Sequence, residues 1–190
     1  MLPEQKKLPF QFDAVGLQSD LQKVGVDWIE HFVKQNYEGD WSAIPLRGAM
    51  GATHPIQMIF SSPTAKEFED TPFLKPCHHF QEVINSFKTY VTSVRLMKLG
   101  AGAVIKEHRD YDLDEDHGIV RLHVPVVTNE HVEFFLNQKM VTMKTGECWY
   151  LRLSDPHMVS NRGDTARIHL VLDMHLNDWL KELLLSPSSE

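Results

Sequence analysis

The chain contains few cysteines, no long apolar run and no concentration of basic residues. Its two cysteines, Cys77 and Cys148, are too few for the disulfide framework of a small secreted domain. Both lie in apolar neighbourhoods, and we expect buried, reduced thiols. No apolar run approaches the ~18 residues that a membrane span needs, and residues 1–13 lack the apolar core of a signal peptide. The sequence therefore predicts a soluble, cytoplasmic protein with no membrane partner.

Negative charge exceeds positive charge. The chain has 19 basic and 26 acidic residues, a formal net charge of −7 and a pI near 5.9. Nucleic-acid binding needs a basic patch, and the lysines between residues 66 and 106 are scattered, so no nucleic-acid partner is expected. The hydrophobic content of 42% is ordinary for a globular protein, and 190 residues suit one domain. The oligomeric state is left open.

Residues 1–88 carry a mixed helical and extended pattern. Apolar residues at i, i+4 and i+7 from Leu17 have helical spacing, whereas Pro45 favours an extended residue before it. We predict a helix over 17–24, an extended segment over 41–48, and a short amphipathic helix over 80–87. Residues 27–33 suit either helix or strand. Residues 50–77 contain Gly, Pro, Ser and Thr throughout and are expected to form loops.

Strand-like patterns dominate residues 89–175. Short strands joined by short turns are typical of an antiparallel barrel or jelly roll. The predicted strands cover 91–99, 104–108, 119–127, 131–136, 140–145, 148–153 and 167–174, with a short one at 158–160. A C-terminal helix over 177–185 and a polar tail complete a single domain, 1–190, whose roll comprises 89–175 and whose last part is 176–190.

Four polar residues in this half stand in a chemically meaningful order. His108 and Asp110 offer two metal ligands from one short stretch, and His157 offers a third from a distant strand. Two histidines and one carboxylate hold Fe(II) on one face and leave positions open for a co-substrate and O₂. The chain between His108 and His157 has room for about four strands, so the three side chains can converge. Arg167 is placed to bind a dicarboxylate, and the set predicts an iron- and 2-oxoglutarate-dependent oxygenase.

Five motifs carry a resemblance to a known family: RLMKLGAGAVIKEHRD at 95–110, RLHVP at 121–125, GECWY at 146–150, HMVSN at 157–161 and RIHL at 167–170. This stretch resembles the aspartyl/asparaginyl β-hydroxylase family of 2-oxoglutarate oxygenases, including its bacterial proline hydroxylase-like members. The resemblance implies that His108, Asp110 and His157 bind iron. It also implies that Arg167 pairs with the distal carboxylate of 2-oxoglutarate, and that Arg121 and His123 help to hold this co-substrate.

Two departures from the family pattern bear on the substrate. Some animal members lack the metal-binding carboxylate, so the presence of Asp110 moves this chain towards members that act on small molecules. Proline hydroxylases of the family carry a sizeable domain after the roll, whereas few residues follow Met174 here. This difference puts proline itself in doubt, and an amino acid or amino-acid-like substrate is expected.

Four further residues are candidates for contact with the substrate. Arg47 and Arg95 are suited to a substrate carboxylate, and pairing within the fold is an equal alternative for each. His169 lies two positions after Arg167 and so shares its face of a strand, either lining the pocket or filling the interior. Trp149 alternates with Tyr150, so one of them faces inwards, where core packing is the stronger expectation.

The loop that follows His108 is strongly acidic. Residues 110–116 resemble a calcium loop, but neither register has the glycine and glutamate that an EF-hand requires. We expect an exposed, mobile loop at the mouth of the metal site that acts as a lid. Within it, His117 beside Asp116 is the rival for the proximal ligand. The remaining histidines considered are expected to be structural or at the surface: His54, His78, His79, His131 and His175.

The sequence thus predicts a mainly β protein with flanking helices, a double-stranded β-helix of the jelly-roll or cupin kind. The predicted function is hydroxylation of a small molecule with Fe(II), O₂ and 2-oxoglutarate, releasing succinate and CO₂. Two alternatives are a cupin-like metalloenzyme that does not use 2-oxoglutarate and a non-catalytic jelly-roll binding module. Arg167 argues against the first, and the complete ligand set argues against the second.

Overall fold

Two antiparallel sheets face each other in the computed structural model, which describes residues 1–61 and 64–187. The strands are β1 (Gln5–Gln11), β2 (Ile29–Glu30), β3 (Tyr37–Glu38), β4 (Trp41–Ala49), β5 (Phe68–Asp70), β6 (Val91–Leu99), β7 (Val104–His108), β8 (Ile119–Val127), β9 (Val132–Leu136), β10 (Lys139–Met140), β11 (Glu147–Leu151), β12 (His157–Asn161) and β13 (Arg167–His175). The helices are α1 (Ala14–Lys23), α2 (Pro55–Ile59), α3 (His78–Asn85) and α4 (Asp178–Leu185), and a short 3-10 turn spans Lys34–Asn36.

The strand order is that of a jelly roll. The larger sheet runs β1-β11-β8-β13-β6-β4-β2, with β5 also paired to β4, and the smaller runs β10-β9-β12-β7-β3. Apart from β9–β10 and β4–β5, the strands that neighbour each other in a sheet are not consecutive in the chain, as the return connections of a roll require. The predicted double-stranded β-helix is confirmed, and β1 and β4 show that residues before 89 also supply strands to the larger sheet.

Both faces of the larger sheet are buried. On β13, Ile168, Leu170 and Leu172 face a core that includes residues of the helices, whereas Val171 faces a second core between the sheets. The side of β13 that faces the smaller sheet also carries buried polar residues, namely Arg167, His169 and Asp173. Charged groups with almost no exposure require partners or ligands. The space between the two sheets is therefore the place to look for a functional site.

The helices and most strands agree with the sequence predictions, with three differences. The segment 50–77 contains α2 and β5 rather than loops alone. The strand predicted over 140–145 ends at Met140, because the chain turns away from the ladder after Val141 N–H donates to Phe134 O. The N-terminal β1 is absent from the prediction, since Pro9 weakens the strand pattern. Pro9 lies where the pairing of β1 with β11 is irregular, so the N–H that proline lacks is not needed for a ladder hydrogen bond.

The two cysteines are buried and unpaired, as expected. Burial raises the pKa of Cys77 to about 11 and raises that of Cys148 further. Both are poor nucleophiles in consequence. Within the described segments, no helix has the length and apolar character that crossing a membrane requires.

Candidate metal centre and its cavity

The structure brings His108, Asp110 and His157 together between the sheets. His108 ends β7 and lies opposite His157, the first residue of β12, in the antiparallel ladder. Asp110 follows by two residues, and its N–H donates to Leu153 O at 2.8 Å, which holds the loop beside the pair. One ligand atom from each of the three side chains lies within 4.8 Å of the others. Two imidazoles and a carboxylate on one side of a site make a facial set of ligands.

Backbone carbonyls orient both imidazoles. His108 Nδ1 lies 2.8 Å from Lys106 O, and His157 Nδ1 lies 3.0 Å from Asp155 O. A carbonyl only accepts hydrogen bonds, so each Nδ1 carries the proton and each Nε2 is left as a metal ligand. Burial, with the charge of His108, lowers the pKa of His157 to about 4 and keeps that ring neutral. The neutral imidazole is the form that binds a metal.

A chain of partly to fully buried ion pairs holds Asp110, the third candidate ligand. Arg121 Nη1 donates to Asp110 Oδ2 at 2.7 Å. The same guanidinium donates to both carboxylate oxygens of Asp173, from Nε at 2.6 Å and from Nη2 at 3.0 Å. Asp173 is fully buried, and its Oδ2 also accepts hydrogen bonds from Arg95 Nη2 at 2.5 Å and Ser61 Oγ at 2.7 Å. This arrangement leaves Oδ1 of Asp110 on the side of His108 Nε2, at 3.8 Å.

The charge of Asp173 is maintained by its partners. Burial alone would raise the pKa of this carboxyl, but the guanidinium groups of Arg121 and Arg95 outweigh burial and hold the pKa well below its ordinary value. The sequence analysis missed Asp173. Its signal was an acidic residue within a largely buried strand, at the same parity as Arg167 and His169. Only the pairing with Arg121 reveals its role.

Arg167 is a buried cation that has no anionic partner among residues 1–61 and 64–187. Its side chain is 3% exposed, and its only hydrogen bond with the described residues joins Nη2 to His169 Nδ1 at 2.7 Å. Burial lowers the pKa of Arg167 to about 9. His123 lies beside this pair, with its Nδ1 3.4 Å from that of His169. A guanidinium that is desolvated and unpaired is costly unless a ligand supplies the missing anion.

A cavity of about 530 Å³ connects these groups. Its lining includes the three candidate ligands together with Arg95, Arg121, His123 and Arg167. His169 lies behind Arg167, outside the lining that the described residues form. Arg47 and Trp149 also lie outside that lining: Arg47 pairs with Asp70 at 2.6 Å, and Trp149 Nε1 donates to Glu147 at 2.9 Å. Trp149 and Tyr150 point to opposite faces of β11, and each packs on an apolar core. Trp149 contacts the core between the sheets, and Tyr150 belongs to the core that includes residues of the helices.

His31 lines the cavity and was not a candidate in the sequence analysis. Its ring is stacked on Trp41, with centroids 3.5 Å apart, and on Phe32 at 4.8 Å. Burial and the guanidinium groups of Arg95 and Arg121 lower the pKa of His31 to about 3, so the ring is neutral. The ambiguous pattern of residues 27–33 concealed it, because β2 is only two residues long and ends just before it.

The acidic loop lies at the mouth of the cavity, as expected. Asp112 and Asp116 are exposed, but the prediction of exposure is wrong for Asp114 and Glu115. Both are half-buried because they have cationic or donor partners: Asp114 bonds to His117 at 2.7 Å, and Glu115 to Lys181 at 2.5 Å. Of the loop, residues 110–113 and His117 line the cavity. His117 is held by Asp114, apart from the group of candidate ligands.

Comparison with known proteins adds a family and a fold. Residues 17–176 match the sequence model of the family described as aspartyl/asparaginyl beta-hydroxylase. A curated relative, L-proline cis-4-hydroxylase of Rhizobium meliloti (strain 1021), is 27% identical over 176 residues. The alignment covers 92% of this chain and 61% of the relative, so the chain spans less than two thirds of that protein's length.

Solved structures share the fold at low sequence identity. An oxidoreductase of the 2OG-Fe(II) oxygenase family from Burkholderia pseudomallei has a TM-score of 0.57 at 10% identity, covering 92% of this chain and 86% of that one. HygX from Streptomyces hygroscopicus, solved with nickel and 2-oxoglutarate, also has 0.57 at 10%, covering 92% and 84%. A Pseudomonas putida prolyl-4-hydroxylase has 0.53 at 12%, covering 92% and 93%. The family match extends over most of the chain and includes every residue of the candidate metal centre, and the protein therefore belongs to the aspartyl/asparaginyl β-hydroxylase family.

Proposed function

We propose that the protein is an Fe(II)- and 2-oxoglutarate-dependent dioxygenase. It hydroxylates a small molecule, an amino acid or amino-acid-like compound, with O₂, and releases succinate and CO₂. One observation carries the proposal: a facial set of His108, Asp110 and His157 opens into the same cavity as Arg167, a buried cation without a carboxylate partner among the described residues. The family relative that hydroxylates proline and the fold neighbour solved with nickel and 2-oxoglutarate support it.

The donor set fits iron. Two neutral imidazole nitrogens and one carboxylate oxygen suit Fe(II) and leave coordination positions free on the cavity side. When bound, Fe(II) and 2-oxoglutarate supply the oxidising power that places one oxygen atom of O₂ in a substrate C–H bond while the co-substrate loses CO₂. The chain's own residues supply position and charge. Arg121 holds Asp110 in place, and Asp173 holds Arg121.

Arg167 fits the distal carboxylate of the co-substrate. Its guanidinium is planar and remains charged at neutral pH, since burial lowers its pKa only to about 9, and a carboxylate would satisfy it with two parallel hydrogen bonds. His123, whose Nε2 is buried without a partner in the described structure, lies in the same wall. His169 keeps the guanidinium in position from behind. The polar inner wall therefore binds the co-substrate, and the rest of the cavity remains for the substrate.

Two measurements separate this function from its alternatives. Anaerobic titration is expected to show one Fe(II) bound per chain, and addition of 2-oxoglutarate and O₂ is expected to release succinate, measured by mass spectrometry. His157→Ala should abolish both, whereas His131→Ala, at an exposed site outside the cavity lining, should leave both intact. Iron binding without succinate would favour the cupin-like enzyme. Absence of iron binding would favour the binding module.

Substitution of Asp112 tests the loop as part of the substrate site. Asp112 is exposed and lines the cavity mouth, so Asp112→Asn is expected to change the KM for substrate by severalfold and to leave Fe(II) affinity unchanged. Asp116→Asn is the matched control, since Asp116 is also exposed but lies outside the lining that the described residues form. Loss of iron in the Asp112 variant would mean that the ligand set must be redrawn.

A further inference from the structure

The cavity has two chemically different halves. The inner half contains Arg167, His123 and the candidate metal ligands. We call the outer half the part of the lining that consists of aromatic rings, and its residues are His31, Phe32, Trp41, Phe60 and Phe68. Phe32 and Phe60 meet edge to face with centroids 5.8 Å apart, and Phe60 is 42% exposed. An exposed aromatic ring at a cavity mouth is suited to the apolar part of a ligand.

His31 offers one hydrogen-bond donor within this aromatic wall. Val33 N–H donates to His31 Nδ1 at 3.4 Å, so the neutral ring carries its proton on Nε2. Within residues 1–61 and 64–187 no group is hydrogen-bonded to this Nε2. The stack on Trp41 fixes the plane of the ring, and Trp41 is itself 6.3 Å from the His108 ring. The donor is therefore held near the metal centre and is free for an uncharged acceptor such as a carbonyl oxygen.

The deep arginines are already committed. Arg95 is bound to Asp173 and to Ile59 O, at 2.5 and 2.9 Å, and Arg121 is bound to Asp173 and Asp110. Each of these guanidinium groups is therefore already neutralised by a carboxylate within the fold, and only Arg95 Nε has no hydrogen-bond partner in the described structure. Arg109 in the cavity lining is different, because its only hydrogen bond with the described residues runs from Nη1 to Ser154 O at 3.1 Å, and the nearby carboxylate of Asp155 does not form an ion pair with it.

We propose that the outer half binds an N-acylated amino acid, which deepens the proposed function and rests on it. The acyl carbonyl accepts a hydrogen bond from His31 Nε2, and the acyl chain packs on Phe32 and Phe60. The carboxylate pairs with Arg109 at the mouth. The whole cavity, about 530 Å³, holds the co-substrate as well, and it lies within the range of about 300–1,000 Å³ that is typical of pockets for drug-sized ligands.

A ligand series tests the acyl chain. The Fe(II) and 2-oxoglutarate complex is titrated without O₂ by calorimetry against free amino acids and their N-acetyl, N-butanoyl and N-hexanoyl derivatives. The Kd is expected to fall by up to about fourfold for each methylene that the cavity buries. The N-hexanoyl compounds are also expected to stimulate succinate release above the rate with free amino acids. Free amino acids that bind as tightly as their N-hexanoyl derivatives would overturn the proposal.

Matched variants test the two contacts. Phe60→Ala should raise the Kd of the N-hexanoyl compound about tenfold, whereas Ile56→Ala, in the same helical turn and also 42% exposed, should not change it. His31→Phe keeps an aromatic ring on Trp41 but removes the donor. It should therefore raise the Kd of the N-hexanoyl compound about tenfold and leave the Kd of the N-hexyl amine analogue unchanged. Equal losses for both analogues would exclude the hydrogen bond to the carbonyl. His131→Phe is the control for the substitution itself.

The failure of this inference is distinguishable from failure of the proposed function. Succinate released slowly without any substrate reports the co-substrate reaction alone, and it should be the same in Ile56→Ala, outside the lining that the described residues form, as in the wild type. If that reaction occurs and N-acylation confers neither affinity nor stimulation, the substrate class is wrong and the dioxygenase stands. If no condition releases succinate, both proposals fall.

Discussion

Asp173→Asn is expected to lower the free energy of unfolding by about 3–5 kcal/mol. The substitution preserves shape but removes the negative charge between Arg95 and Arg121, both of which are almost fully buried partners of this carboxylate. Two guanidinium groups would then share an uncharged amide in a dry interior. Urea denaturation of the metal-free protein at pH 7 measures the change.

An exposed ion pair is the control for Asp173. Asp70 accepts a hydrogen bond from Arg47 at 2.6 Å, but its side chain is 50% exposed. Solvent screens such a pair, so Asp70→Asn is expected to cost no more than about 1 kcal/mol. Equal losses in the two variants would show that Asp173 has no special role. Because Asp173 positions Arg121 and hence Asp110, Asp173→Asn should also weaken Fe(II) binding, and Asp70→Asn should not.

The stabilisation by Asp173 depends on pH in one direction. The pKa of this carboxyl is lower in the folded than in the unfolded chain, where it is about 3.9. Its contribution is therefore fully present above that value and declines as the pH falls through the range down to the folded-state pKa. The difference in stability between wild type and Asp173→Asn should be constant from pH 6 to pH 8 and should shrink below about pH 4.

Arg167→Ala is expected to weaken 2-oxoglutarate binding by about 2–5 kcal/mol, roughly 30-fold to several thousandfold in Kd. The guanidinium is buried beside His169 and has no carboxylate partner in the described part of the chain, so we expect the co-substrate to be its counter-ion. The variant should still fold, because it loses an unpaired charge rather than an ion pair. Calorimetry without O₂ measures the affinity.

Two further variants test whether the loss in Arg167→Ala comes from the guanidinium at this position. Arg167→Lys is also expected to bind poorly, since a point charge cannot reproduce two parallel hydrogen bonds. Arg162→Ala removes an exposed arginine that pairs with Glu133 at 3.1 Å, and it should leave the affinity unchanged. An unaltered affinity in Arg167→Ala would mean that another cation of the cavity holds the co-substrate.

The sequence by itself indicated the fold class and the centre of the site. Alternating and continuous apolar segments gave the strands of a roll, because side chains on a strand repeat every two residues. Residue chemistry and order singled out His108, Asp110, His157 and Arg167, which the structure places around one cavity. These inferences depend on local period and on the few residue types that bind metals and carboxylates, and both can be read without coordinates.

Only the tertiary structure decided which charges are paired. The sequence proposes Arg47, Arg95, Arg121 and Arg167 as residues that bind a carboxylate of the substrate or co-substrate, but it does not show which of them pair within the fold. In the structure, Arg47 pairs with Asp70, and Arg95 and Arg121 both pair with Asp173. Arg167 has no anionic partner among the described residues. These partners come together across strands and loops that are far apart in the chain, and burial determines what each pair contributes. The place of His31 in the cavity was likewise decided by the tertiary structure. It depends on stacking with Trp41 on a paired strand, and no local sequence pattern specifies that pairing.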